Sequence, residues 1–255
     1  MSSLSEKIYK KEIEEFFRRK LDIFINKEDN PLKVGDQLAS ILKNSEDAIA
    51  QKVIQRAVKK WASKKTYPWW KKVIHNRIMA SELRIIGRSI ANSMRPLAGN
   101  NFTVWVSRIL NAHFSGNRLP LQAVTSGAVK TKLSKGLTVK RKGKRGFKDY
   151  RPDIDIVLVR IDKGNKPVAI ISAKTSLAER VTQTISWNRY LKKRKSKFSY
   201  LKLFLVTAWE GLEKGVNKER VQELDGVYVC NNGVKEYGNI KRFSKIAKSL
   251  KKLCD

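Results

Sequence analysis

Two apolar runs, Ile154–Ile161 (IDIVLVRI) and Pro167–Lys174 (PVAIISAK), stand on either side of the turn Asp162-Lys163-Gly164-Asn165. Each run is strand length, rich in β-branched residues and without strict polar alternation. Such a pair folds as a hairpin inside a sheet covered on both faces. The runs YLKLFLVTA and GVYVC add further strands, and helical patterns over about 177–195 and near the carboxyl terminus, ending about Leu253, place helices around them. The expected architecture is α/β (α+β): a mixed sheet flanked by helices.

Upstream the pattern differs. EKIYKKEIEEFFRRKLDIFI and EDAIAQKVIQRAVKKWA carry apolar residues at three- and four-residue spacing, and Asn30-Pro31 and Tyr67-Pro68 supply the breaks. Residues 1–94 therefore read as a helical amino-terminal region, and 95–255 as a catalytic domain. A helix is predicted over Asn101–Phe114, with Phe102, Val106, Ile109 and Leu110 on one face. Between about Leu121 and Arg151 no apolar period persists, so loop, or short strands at most, is expected, with a basic loop over 124–151.

The charge balance narrows the partner. Lys and Arg number 55 against 23 Asp and Glu, a formal charge of +32, which implies a polyanion. Nucleic acid is the first candidate, because cations displace the counterions of a phosphate backbone. No run of 18 apolar residues and no apolar signal core is present, so a soluble, cytoplasmic protein without a membrane partner is expected. Cys230 and Cys254 are too far apart for a metal knuckle and read as reduced thiols, and His75 and His113 are the only histidines. Zinc and histidine-metal nuclease chemistry thus lacks ligands.

Pro152-Asp153-Ile154-Asp155 opens the first strand of the hairpin, and Ser172-Ala173-Lys174 closes the second. A hairpin of that length brings Asp155 and Lys174 side by side at one edge of the sheet. Phosphodiester hydrolysis needs such a grouping. A carboxylate holds a divalent cation, the cation polarises phosphate and acidifies water, and an ammonium orients that water. Asp155 leads directly into Ile156-Val157-Leu158-Val159 and is favoured over Asp153, which sits at the strand's mouth and remains the alternative.

The segments PDIDIVLV and ISAKTSLAER resemble type II restriction endonucleases of the PD-(D/E)xK superfamily, especially those with a KTSLxER element after the lysine. The resemblance spans roughly Arg95–Thr207 and implies a restriction-endonuclease-like core. It further implies Mg²⁺, with Mn²⁺ able to substitute, sequence-specific cleavage of double-stranded DNA by a homodimer, and a cognate DNA methyltransferase in the host. Asp155, Lys174, Glu179 and Asp153 become the catalytic set. Ser172 stands where the family usually has its second carboxylate, and Glu179 on the following helix is the stand-in, so Asp155, Ser172 and Glu179 form the expected metal shell. Ser176-x-x-Glu179 is equally an ordinary capping box.

For DNA contact the candidates are Lys140, Arg141, Lys142, Lys144, Arg145, Lys148 and Arg151 in the basic segment, and Arg189 in the run Arg189–Lys197. The second run also fits the exposed face of a helix. Two other functional readings stay open: a structure-directed or repair nuclease, and a basic nucleic-acid-binding protein without catalysis. Tyr67, Trp69 and Trp70 interleave with charge and suit packing of the helical region better than stacking on bases.

Overall fold

The computed structural model describes residues 15, 18–19, 21–41, 99, 101–143, 146–150, 152, 154–175, 180–193, 197–208, 212 and 216–254, without the side chains of 140–143, 146–150 and 180. The chain divides into two compact units, one of residues 1–18 and 40–101, the other of 19–39 and 102–255. Most of the first lies outside the described residues, together with Tyr67, Trp69 and Trp70.

The second unit is built on a six-stranded mixed sheet. Its strands are β1 (Leu121–Val124), β4 (Ile156–Arg160), β5 (Lys166–Lys174), β6 (Lys202–Thr207), β7 (Gly226–Val229) and β8 (Ile240–Arg242), lying side by side in that order. A separate hairpin pairs β2 (Val139–Gly143) with β3 (Gly146–Tyr150). Helices among the described residues include α1 (Pro31–Asp36), α2 (101–116), α3 (Ala128–Gly136), α4 (Arg180–Leu191), α5 (Val216–Arg220) and α6 (Ile246–Lys251), with further helical residues at 21–27 and 38–41.

β1–β4 and β4–β5 are antiparallel, while β5–β6, β6–β7 and β7–β8 are parallel. The expected β4–β5 hairpin is present, and the Asp162-Lys163-Gly164-Asn165 turn closes it with Gly164 and Asn165 at positive φ (64° and 60°). Glycine takes that conformation without penalty, and asparagine is among the residues that tolerate it best. A register shift between Leu158 and Val159 absorbs the one-residue mismatch between the strands.

Burial explains why β4 and β5 lack polar alternation. All five residues of β4 are buried, as are the last six of β5. Val157, Val159, Ile170, Leu203, Leu205 and Val227 join Val181, Ile185 and Leu191 of α4 in one apolar cluster. Each fully buried aliphatic side chain contributes about 1.5–3 kcal/mol relative to exposure. On α2, Phe102, Val106, Ile109 and Leu110 are fully buried, the stripe expected from their spacing.

The sheet ends at β1, whose outer edge is covered by α2. The Asn111 side chain donates to Ala123 O (3.0 Å) and accepts from Ala123 N–H (2.8 Å), and Ser107 Oγ donates to the same carbonyl (3.1 Å). An amide and a hydroxyl thus satisfy the edge backbone groups of Ala123. At the far end of β4, the buried Arg160 guanidinium bonds Asp162 and the main-chain carbonyls of Leu253 and Cys254.

One expectation fails. Ala128–Gly136, in the segment read as loop or short strands, is a helix of nine residues. Val129, Leu133 and the C-cap Leu137 recur every four residues and enter the apolar cluster, a narrow stripe set among polar and basic neighbours. The rest of that segment contains the short strands β1, β2 and β3, and β8 was not anticipated.

Candidate active site

Asp155 lies immediately before β4 and Lys174 is the last residue of β5. Ile156 pairs with Ile171, so one step outward sets Asp155 opposite Ser172, with Lys174 two residues beyond. The Asp155 side chain crosses to this neighbouring strand end. Its Oδ2 accepts from the Ala173 main-chain N–H at 2.7 Å and from Lys174 Nζ at 2.7 Å.

Both side chains are largely withdrawn from water, with 15% of Asp155 and 8% of Lys174 exposed. Burying either charge alone costs several kcal/mol, and the two together satisfy one another. The hairpin turn therefore does more than reverse the chain. By setting register it places a buried acid against a buried ammonium.

Ile170, Ser172 and Lys174 share one face of β5, as residues two apart must. That face looks onto α4, and the narrow cleft between them is bordered also by Pro152, Gln183, Thr184, Trp187 and the apolar Leu137, Leu191 and Leu203. Trp187 meets Tyr190 edge to face, ring centroids 5.5 Å apart. Ser172 is buried at 3% exposure. Ser172 and Lys174 thus line this cleft, and Asp155 is joined to it through its ion pair with Lys174.

Asp153 and Glu179 lie outside the described residues, as do Lys144, Arg145 and Arg151. Lys140, Arg141 and Lys142 fall on β2 and Lys148 on β3, so a basic hairpin occupies the sequence just before Asp155. Arg189 is on α4, where its guanidinium forms two hydrogen bonds with the Glu223 carboxylate (2.6 and 2.7 Å). These bonds raise the Arg189 pKa and hold the Glu223 carboxyl below its usual range.

The donors at the cleft suit a hard divalent cation. Asp155 and Ser172 offer oxygen, and no nitrogen or sulfur ligand stands with them among the described residues. No group of three or more His, Cys, Asp or Glu able to hold a metal is found among the described residues, so a fuller shell has to draw on Asp153, Glu179 or main-chain oxygen.

One residue at this site escaped the sequence reading as a site residue. Lys130 of α3 lies within the basic segment 124–151, and its Nζ donates to Asp155 O at 3.0 Å and to Thr125 O at 2.9 Å. Twenty-five positions separate Lys130 from Asp155, and no local pattern links them.

With this geometry in view, the solved structure of the PspGI–substrate DNA complex superposes with a TM-score of 0.51 at 12% identity, covering 96% of this chain and 92% of that one. The fold is that of a restriction endonuclease. The AgeI–DNA complex is similar over 96% of this restriction-endonuclease-like chain and 92% of its own, at 16% identity and a TM-score of 0.47. In sequence, residues 131–253 match the family model BsaWI restriction endonuclease type 2. MjaVIP of Methanocaldococcus jannaschii, provisionally described as a type II restriction enzyme, is 30% identical over 112 residues, covering 40% of this chain and 49% of that protein. The chain thus spans about half the length of the curated relative it matches. The matched region begins in α3 and includes Asp155, Ser172 and Lys174.

Proposed function

We propose that this protein is a type II restriction endonuclease that hydrolyses both strands of double-stranded DNA at a specific sequence, with Mg²⁺ as cofactor and Mn²⁺ able to replace it. The observation that carries the reading is the Asp155–Lys174 pair, buried at 2.7 Å at the end of the β4–β5 hairpin of a restriction-endonuclease fold.

Asp155 holds the cation through its carboxylate, assisted by Ser172 and by Glu179 or Asp153. When bound, the cation polarises the scissile phosphate and acidifies a water molecule. Lys174 Nζ, anchored by Asp155, orients the attacking water and offsets the negative charge that builds on phosphorus. The Ala173 N–H fixes the carboxylate rotamer, so both groups are set before substrate arrives.

DNA approaches along the basic segment before Asp155, whose Lys140, Arg141, Lys142, Lys144, Arg145, Lys148 and Arg151 neutralise phosphates. Arg189 contributes only where DNA displaces Glu223. PspGI was solved bound to its substrate DNA, in keeping with this partner. A homodimer on a short palindrome, the helical region of 1–94 in dimerisation or DNA wrapping, a cytoplasmic location and a cognate methyltransferase complete the reading. Among the described residues no helix is long and apolar enough to cross a membrane.

Digestion of a sequenced plasmid with Mg²⁺, followed by end mapping, tests the proposal. Discrete, reproducible fragments with a common end sequence support it. Cleavage that follows junctions or mismatches without fixed fragments assigns a structure-directed nuclease. Absence of cleavage with Mg²⁺ or Mn²⁺, with duplex binding retained, assigns a binding protein.

A further inference from the structure

Asp155 is gripped from two sides. Its carboxylate is held by Lys174 and Ala173, on β5, and its main-chain carbonyl is held by Lys130, on α3. The second grip sits where two paired strands separate. β1 and β4 pair as far as Val124 and Val157, and beyond that point β1 turns away into the Ser126-Gly127 bend and α3. Two carbonyls, Thr125 O and Asp155 O, then lie beyond the end of the ladder. The Lys130 ammonium takes both, at 2.9 and 3.0 Å.

The start of α3 is arranged for this reach. Gly127, at φ 97°, makes the sharp entry that sets Lys130 in the first turn, with its side chain directed back toward the strand end. An ammonium suits the position because it offers three donors and no acceptor, and both of these partners are acceptors. It also adds positive charge beside a carboxylate that is to bind a cation. The lysine therefore works against metal affinity electrostatically, and its value at this place is geometric.

Resting on the proposed nuclease reading, we infer that Lys130 is a positioning residue for the metal site. It locks the main chain at Asp155 so that the carboxylate meets the Ala173 N–H and Lys174 Nζ at the end of β5. Lys130→Met keeps an unbranched stem of similar length and removes both hydrogen bonds. Losing such a support costs about ten- to a hundredfold in metal affinity or activity. An arginine's fork can still reach two carbonyls, so Lys130→Arg should recover most of the loss.

The test is Mn²⁺ binding to the full chain, read by electron paramagnetic resonance on wild type, Lys130→Met, Lys130→Arg and Asp155→Ala, with thermal melts alongside. Plasmid cleavage is measured on the same samples. The expected result is Mn²⁺ affinity about ten- to a hundredfold weaker in Lys130→Met, largely restored in Lys130→Arg, with both variants still folded. Wild-type affinity in Lys130→Met, while Asp155→Ala loses Mn²⁺, overturns the role of Lys130 and leaves the nuclease reading standing. Equal Mn²⁺ binding by wild type and Asp155→Ala overturns the metal site itself and the inference with it. Should Lys130→Met not fold, failure of the folded Lys130→Arg to bind Mn²⁺ any differently from Asp155→Ala also counts against positioning by hydrogen bonds alone.

Discussion

Lys174 Nζ stands 2.7 Å from Asp155 Oδ2 across the end of the β4–β5 hairpin, and both side chains are largely buried. The ammonium is thereby held at the carboxylate that the proposed chemistry needs. Removing either member should affect catalysis and stability together. Asp155→Ala and Lys174→Ala are each expected to lower plasmid cleavage by at least about 10²- to 10⁴-fold, while gel shifts on duplex DNA stay near wild type. A variant of either kind that cuts at the wild-type rate excludes the site.

The same pair should show energetic coupling. Breaking a buried ion pair by removing one partner typically costs about 3–5 kcal/mol, since the other charge is left uncompensated. Asp155→Asn and Lys174→Met should each destabilise the protein, and the double variant should be less destabilised than their sum by about 1–3 kcal/mol. Urea unfolding of the four proteins measures this. Simple additivity would mean that the two groups do not depend on one another.

Binding of DNA should be steeply salt dependent. Each neutralised phosphate contributes a slope of about −0.9 in a plot of log affinity against log salt. Replacing Lys140, Arg141 and Lys142 together by Gln should therefore flatten the slope by roughly 2–3, as fluorescence anisotropy on a duplex would reveal. An unchanged slope would remove the β2 residues from the DNA path.

Stability should fall as the solution is acidified below about pH 6.5, and His113 is one cause. Burial, aided by the charge of Lys251, lowers its pKa below the ordinary 6.5. Its ring is buried, and Nε2 has no hydrogen-bond partner in the structure. Between the unfolded and the lower folded value the unfolded chain binds a proton that the native one resists, so acid favours unfolding there. His113→Gln should flatten that part of the stability profile in thermal melts between pH 7.5 and 5.5. An equally steep profile in the variant would show that other groups set it.

Gly35 should not tolerate a side chain. A Cβ at this position would overlap the Phe243 ring, which is fully buried. The neighbouring Asp36 carboxylate accepts from the Ser244 main-chain N–H at 2.8 Å, so α1 is fixed against the segment before α6 and has little freedom to retreat. Gly35→Ala is expected to cost about 1–3 kcal/mol, readable as a lowered urea midpoint. A midpoint equal to that of wild type would mean that α1 shifts at no cost.

Much of the candidate site was legible in the residues themselves. Two apolar runs joined by Asp162-Lys163-Gly164-Asn165 determined a buried hairpin, because strand length, β-branching and turn chemistry are local properties of the chain. Placing Asp155 at the start of one run and Lys174 at the end of the other then left little choice about which groups meet. The stripe on α2 was equally visible, since Phe102, Val106, Ile109 and Leu110 repeat within a few residues.

What tertiary structure alone decided depends on contacts between distant residues. The stripe Val129, Leu133 and Leu137 in the basic segment has something to pack on only because other elements make an apolar surface there. Asn111 and Ser107 complete the edge of β1, although nothing in their spacing says that a strand lies beside them. Arg189, a plausible DNA contact in the sequence, is committed to Glu223 thirty-four positions away. Lys130 looked like one cation among many until the fold brought Thr125 O and Asp155 O to its ammonium. Periodicity records which face of an element is buried, and it holds no information about which residue from another part of the chain will fill a gap in the backbone bonding there.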